Sequence, residues 1–358
     1  MARRKRIVVA MSGGVDSSTA AALLKQEGYE VIGIGLRFPM MAAGNESPGS
    51  CCGIAGMDDA RRVASKIDIP FYILNFEKIF EESVINYFCH SYLHGKTPNP
   101  CIECNRVVKF GHLLKLADSL GADYLATGHY ARICRDRKTG RFLLQKGLDS
   151  EKDQSYFLYF LSQDQLSRLM FPLGEMTKEE TRELARKFGL AVFDKPGSQD
   201  ICFLGSRDYR SFLSEKFNDV FQRGPIVNIQ GDVLGWHPGI LHYTVGQRKG
   251  LSIAAHKPLY VISIDGADRR VVVGTREEAL SRRIPVTKVS WIAFDNNSGN
   301  LTLRVKVRYR QPEISASVSC RDNGKIEVLL SEPRMGIAPG QSAVFYEGDV
   351  VVGGGIIE

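Results

Sequence analysis

"IVVAMSGGVDSSTAAALLKQEG", residues 7–28, joins a short apolar run to a glycine pair, a row of hydroxyls and an alanine-leucine segment. A continuous apolar run of this length predicts a strand buried on both faces. The Ala-Ala-Leu-Leu segment predicts a helix, with Gly28 placed to stop it. Between them, Gly13 and Gly14 let the backbone turn sharply and approach a ligand closely. The amides there, the hydroxyls of Ser12, Ser17 and Ser18, and the helix dipole together favour a phosphate or pyrophosphate. The lysine of G-x-x-x-x-G-K-[ST] is missing, which disfavours a Walker-type site. A plain strand–helix turn is the bland alternative, and the density of hydroxyls after the first strand argues against it.

Working outward, "VIGIGL" and "PFYILNF" read as strands, "MDDARRVASKIDI" and "VVKFGHLLKLADSLGA" as helices, and "DYLATGHYA" as a further strand. Strands alternating with helices predict an α/β fold with a parallel sheet. "TKEETRELARKFGL" continues the pattern as a helix with Thr177 as N-cap and Glu180 at the capping-box spacing. A helix is also expected at "YFLYFL". After about residue 205 glycine and turn signals increase, and from about 258 short alternating stretches predict a small β-barrel or sandwich. The expected domains are therefore 1–205, 206–275 and 276–358.

The chain has 358 residues, 44% hydrophobic and 24% charged, as ordinary globular proteins have. No apolar run approaches the ~20 residues of a membrane span, and no membrane partner is expected. The N-terminus is basic then apolar, but its apolar run is too short for a signal peptide and leads into "SGGVDSS". A cytoplasmic location is expected. The formal charge of +7 leans weakly toward a polyanionic partner.

Eight cysteines (51, 52, 89, 101, 104, 134, 202 and 320) are too few and too irregular for a disulfide scaffold at this size. "TPNPCIECN", residues 97–105, holds a Cys-x-x-Cys with no obvious second pair. Zinc would want four ligands, and adjacent Cys51 and Cys52 suit chelation poorly. Cys202, in "GSQDICFLG", is the other candidate partner.

SGGxDS resembles the pyrophosphate loop of the ATP pyrophosphatases, which adenylate a carbonyl oxygen and release pyrophosphate. "SGGVDSS", "TPNPCIECN", "ATGHYAR", "KDQSYFL", "ICFLG", "HYTVGQRKGL", "VRYRQ" and "PGQSAVFY", in this order, cover nearly the whole chain. Together they resemble the tRNA-specific 2-thiouridylase family, which replaces the C2 oxygen of the wobble uridine by sulfur. The resemblance implies a PP-loop (adenine nucleotide alpha hydrolase-like) domain, a small central domain and a C-terminal antiparallel β-barrel. It implies ATP and Mg²⁺, with Ala10, Met11, Ser12, Gly13, Gly14, Val15, Asp16 and Ser17, together with Leu36 and Gly128, framing the nucleotide. Asp16 falls at the magnesium–pyrophosphate end. Asn99, Pro100 and Cys101 fall against the target base. His129, Lys152, Asp153, Gln154, Arg308, Tyr309 and Gln341 fall against the anticodon arm of tRNA.

By the same resemblance Cys202 carries a persulfide received from an upstream sulfur-donor protein, and Cys104 is the nucleophile. A thiol suits either task because its thiolate is strongly nucleophilic. Many members carry Asp where this chain has Cys101. Three cysteines with one open iron site would suit a [4Fe–4S] cluster on Cys101, Cys104 and Cys202, so the persulfide and cluster routes both stand. The rivals outside thiolation are another PP-loop adenylating ligase and a nucleic-acid-binding module without catalysis.

"LTLRVKVRYR" alternates Arg304, Lys306, Arg308 and Arg310 with Leu303, Val305, Val307 and Tyr309. On a strand this places four cations on one face at roughly 6.6–6.8 Å intervals, a ridge suited to a phosphate backbone or to water. The segment 242–251 has no expected chemical role.

Overall fold

The computed structural model describes residues 3–39, 54–197, 201–205, 207–217, 222–295, 299–320 and 325–358. Cys51 and Cys52 lie outside them. The chain divides into two compact units, one of Met1–Val84, Cys101–Arg207 and Asp349–Val351, the other of Ile85–Pro100, Asp208–Gly348 and Val352–Glu358.

The first unit is built on a parallel sheet. Its strands are β1 (Arg6–Ala10), β2 (Glu30–Arg37), β3 (Phe71–Asn75) and β4 (Tyr124–Ala126). A hairpin of β5 (Ala131–Arg135) and β6 (Phe142–Lys146) follows, and β7 (Leu169–Met170) completes the sheet in the order β3-β2-β1-β4-β7. Helix α1 (Val15–Gln26) follows β1, and α2 (Ile54–Lys66) lies between β2 and β3. Alternation along β1 places Ile7 and Val9 in one core with Ala21 and Leu24 of α1, Ala60 and Val63 of α2, and Ala185. α1 ends as expected, at Gly28 with φ 89°, a value glycine adopts without steric cost. The helix Lys178–Lys187 is capped by Thr177, with the full capping box to Glu180.

Three elements differ from expectation. "DYLATGHYA" is not one strand, because the chain leaves the sheet after Ala126 and re-enters a different one at Ala131. The helix expected from Val107 runs from Pro100, and over Cys104–Leu113 it widens to π geometry before Leu114–Ser119 returns to α. "YFLYFL" gives only a 3₁₀ turn at Ser155–Phe157. There, Asp153 accepts from the backbone N–H and the hydroxyl of Ser155, each at 3.0 Å. Tyr156, Leu158 and Leu161 are all fully buried. A local carboxylate acceptor and burial on several sides outweigh helix propensity here.

In the second unit, β8 (Gly224–Val227), β9 (Val233–His237), β10 (Tyr260–Asp265) and β11 (Arg270–Gly274) form a sheet ordered β10-β11-β8-β9. The remaining strands are β12 (Ser281–Trp291), β13 (Asn300–Lys306), β14 (Ile314–Cys320), β15 (Ile326–Arg334), β16 (Ser342–Glu347) and β17 (Val350–Ile357). They run β12-β15-β14-β13-β16-β17, and β17 pairs back with β12 to close an antiparallel barrel. Closure removes the exposed edges that an open sheet leaves. Its core alternates as the sequence requires, with Leu303 and Val305 of β13, Ala316 and Val318 of β14, and Phe345 of β16 turned inward. Phe345 is fully buried. Phe345→Ala should destabilise the second unit by about 3–5 kcal/mol, read as a lowered denaturation midpoint. An unchanged midpoint would contradict the inward assignment of β16.

Candidate active site

The strand order reverses between β1 and β4: β2 and β3 lie on one side of β1, β4 and β7 on the other. In open parallel sheets the crevice beyond the carboxyl ends of strands at such a switch point is where ligands bind. The loop 11–14 leaves β1 there and the loop 127–130 leaves β4 there. Gly128 lies directly against the first loop: a Cβ added to it would stand 2.7 Å from both the Asp16 carbonyl carbon and the Ser17 nitrogen. Gly13 has φ 73°, and a Cβ there would run into the backbone carbonyl of Gly56 in α2. The two glycines let three backbone segments converge without side chains between them.

Within the loop, Ser17 Oγ accepts from the Ser12 amide at 3.1 Å and lies 3.3 Å from Ser12 Oγ. Ser18 Oγ is fully buried and has no hydrogen-bond partner among the described residues. Asp16 Oδ1 accepts from Tyr130 Oη at 2.8 Å and from Lys178 Nζ at 2.5 Å. Burial, then the Asp16 charge, raise the Tyr130 phenol far above its ordinary range, so it stays a donor. Lys195 Nζ donates to Gly13 O at 3.2 Å and pairs with Asp59 at 2.8 Å. Met11, Val15 and Leu36 are buried at the loop and at the end of β2, and Ala10 is half-buried. Neither lysine was anticipated. They stand 162 and 182 residues from their loop partners, outside the reach of a local motif.

Cys104 opens the π-helical stretch and is buried. Such widened turns are rare and gather at functional sites. The neighbouring Asn105 is buried too; its Nδ2 donates to Phe157 O at 3.3 Å, while Oδ1 has no partner among the described residues. Cys101 is exposed and Cys202 half-buried. The turn carrying Cys202 is anchored by Phe203, which packs edge-on to Phe80 at 5.9 Å, itself stacked on Phe38 at 4.2 Å. Among the described residues no three His, Cys, Asp or Glu side chains gather as a metal site. Cys101, Cys104 and Cys202, the donor set expected for a [4Fe–4S] cluster, are not gathered into such a group in this structure.

Residues 5–206 match the family described as "tRNA methyl transferase HUP domain". Residues 210–275 match its PRC-barrel domain, and 281–357 an "Aminomethyltransferase beta-barrel domain". A tRNA-specific 2-thiouridylase of Acetivibrio thermocellus is 47% identical over 358 residues, covering 99% of each chain. One of Moorella thermoacetica is 48% identical over 98% of this chain and 99% of its own. The chain belongs to the tRNA-specific 2-thiouridylase family.

The residues singled out by resemblance to this family fall in both units. In the first, Lys152 is exposed, whereas Asp153 is buried and accepts from the amides of Gly147 and Ser155. Gln154 exchanges hydrogen bonds with the backbone of Tyr130 at 2.8 and 3.0 Å. In the second, Asn99 is half-buried and Pro100 buried. That segment is tied by Thr97, whose amide donates to Pro339 O and whose carbonyl accepts from Gln341, each at 2.8 Å. The expected four-cation strand face is shorter than its sequence pattern, because β13 ends at Lys306. Arg308, beyond it, donates to Val245 O at 3.3 Å and lines a cleft of about 320 Å³ with Gly246 and Gly336. Tyr309 is half-buried beside it.

His129 is buried between the rings of Phe110 and Phe171, each 5.8 Å away, and its Nδ1 lies 2.7 Å from Thr127 Oγ1. Burial first, and the Lys109 charge second, hold its pKa well below 6.5. The folded imidazole thus stays neutral while the unfolded one protonates as pH falls through about 6.5. This stability is present above pH ~6.5 and is lost on acidification at up to about 1.4 kcal/mol per pH unit. Urea midpoints of wild type and His129→Gln, compared from pH 7.5 to 5.5, should converge as pH falls. Parallel pH profiles would show that His129 titrates normally.

Proposed function

We propose that this chain is an ATP-dependent tRNA-uridine 2-sulfurtransferase acting on the wobble uridine. The observation that carries the reading is the full-length likeness to 2-thiouridylases. It is joined to a phosphate-type loop at the switch point of a parallel sheet and a buried cysteine on a widened helix. ATP lies along residues 10–17, Leu36 and Gly128. Asp16 fits a hard divalent cation, offering a partly exposed carboxylate beside the loop amides; Mg²⁺ there would neutralise phosphate charge. The functional boundaries fall near 205 and 275.

The chemistry has two halves. The uridine C2 oxygen is a poor leaving group, so its attack on the α-phosphorus of ATP releases pyrophosphate and leaves C2 bonded to a good one. Cys104 thiolate then attacks the inner sulfur of a Cys202 persulfide. A Cys104–Cys202 disulfide forms, hydrosulfide is expelled, adds at C2, and AMP departs with the original oxygen. A thiol reductant returns both cysteines. Attack of the terminal persulfide sulfur on C2 is the other route. An upstream persulfide-carrying protein recharges Cys202. Asn99, Pro100 and Cys101 meet the target base, which must be turned out of its stack to be reached. His129, the 152–154 segment, Arg308, Tyr309 and Gln341 meet the tRNA, with Lys152 the solvent-facing member of its segment.

Incubation with unmodified tRNA, Mg-ATP and a persulfide donor, followed by mass spectrometry of the nucleosides, should yield 2-thiouridine. Cys104→Ser and Cys202→Ser should each cut that product about 100-fold or more, since a hydroxyl cannot carry or accept the sulfur. Both should retain tRNA-dependent pyrophosphate release. 2-Thiouridine that survives both substitutions would overturn the roles given to Cys104 and Cys202, and pyrophosphate release without 2-thiouridine in the wild type would favour a different adenylating ligase. Binding of tRNA without pyrophosphate release in the wild type would favour a module without catalysis.

A further inference from the structure

The nucleotide loop carries no lysine of its own, yet a bound triphosphate would bring several negative charges against it. Amides and hydroxyls stabilise such charge only through dipoles; a full cation is normally needed beside them. Two lysines reach the loop from the segment 178–195. Lys178 is the first residue of the helix Lys178–Lys187, and its Nζ meets Asp16 Oδ1 at 2.5 Å. Its position is fixed from several sides. Its amide donates to Asp149 at 2.9 Å, and its ammonium lies 5.7 Å from the centre of the Tyr130 ring. The Tyr130 hydroxyl in turn bonds the same Asp16 oxygen and Thr181. Lys195 bonds the Gly13 carbonyl and Asp59.

These are not ordinary surface pairs. The Lys178 and Lys195 side chains are 17% and 20% exposed, against 41%, 86% and 51% for Lys25, Lys78 and Lys325 in three other ion pairs. Holding a lysine this far out of water is costly unless it is paired, and each is paired at the loop. A lysine that only anchored the helix would not need to meet the loop's aspartate, since Thr177 and Glu180 already cap it.

We propose that Lys178 is the phosphate-binding cation of the nucleotide site, held in readiness by Asp16, and that Lys195 positions the loop through Gly13. The inference rests on the reading of residues 10–17 as an ATP site. Before nucleotide binds, Asp16 and Lys178 neutralise each other. Asp16 would be the residue to hold Mg²⁺, which would supply charge neutralisation, and the Lys178 ammonium, no longer needed by that carboxylate, would then be available to a phosphate oxygen. Lys195 keeps its partners throughout, because its bond is to a carbonyl that the left-handed Gly13 presents. The lysine of a Walker-type loop is thus replaced by one supplied from another element of the sheet's crevice.

The test compares binding of Mg-ATP and of adenosine to the full chain by calorimetry, for wild type, Lys178→Gln and Lys178→Arg. Glutamine keeps a donor for Asp16 and removes the charge, so the local packing has a substitute; arginine keeps the charge. Lys178→Gln should weaken Mg-ATP at least about tenfold and leave adenosine within about twofold. Lys178→Arg should hold Mg-ATP within about threefold of wild type. Equal Mg-ATP affinity in wild type and Lys178→Gln would overturn the proposal. So would a parallel loss of Mg-ATP and adenosine, which marks a structural role. Absence of Mg-ATP binding in the wild type would instead bring down the nucleotide-site reading, and the inference with it.

Discussion

The contact on which the first unit depends is the one between Gly128 and the Asp16–Ser17 peptide. Two loops leave the sheet at its switch point, and they close only because neither has a side chain at the junction. Its consequences spread through Tyr130. The chain leaves β4 at Thr127 to make the approach, and three residues later the Tyr130 hydroxyl reaches Asp16. Its backbone meanwhile pairs with Gln154, and Gly147 is glycine where a Cβ would stand 2.9 Å from the Tyr130 carbonyl oxygen. One tyrosine therefore couples the loop after β1, through its side chain, to the 152–154 segment, through its main chain. Asp153 belongs to that frame: its oxygens hold the turn, leaving Lys152 as the exposed member.

The cysteines sit in contrasting surroundings. Cys104 opens a π-helical stretch, and it is buried. Cys202 rides on a turn without regular structure, held by an aromatic stack instead of a ladder. Cys104 is thus the more enclosed of the two and Cys202 the more accessible. Cys101 is exposed, one turn before Cys104.

Much of this was legible in the sequence because it is local. Strand, glycine loop and helix are contiguous over residues 7–28, Gly28 and Thr177 mark helix ends, and the barrel strands alternate with period two. Signals failed where distant segments decide. The break in "DYLATGHYA" is imposed by the loop after β1, more than a hundred residues away, and β propensity cannot register it. "YFLYFL" has helical composition but is buried around most of its circumference, with Asp153 capturing the amide that would begin the turn. Lys178 and Lys195 look like two solvated charges in a basic segment until the fold brings them to Asp16 and Gly13. The π stretch from Cys104 has no composition that distinguishes it from an α-helix.

The segment 242–251, mute as chemistry, has a structural task in the second unit that bears on charge. Gln247 accepts from the Thr244 amide and donates to the carbonyls of His242 and Lys249, pinning a turn whose Val245 carbonyl receives Arg308. Gly246 has φ 89°, and a Cβ there would stand 2.8 Å from the Gly336 Cα, so the turn and the segment after β15 meet backbone to backbone. The choice of partner matters. Arg304 likewise donates to a carbonyl, that of Glu313, and Lys306 lies 5.9 Å from the centre of the Tyr346 ring. Neutral acceptors and an aromatic face orient these cations without cancelling them, whereas carboxylates would do both. A surface meant only to be soluble gains from interspersed carboxylates. One that orients its cations on carbonyls keeps net positive potential, and that is the condition under which a polyanion displaces its counterions onto a protein.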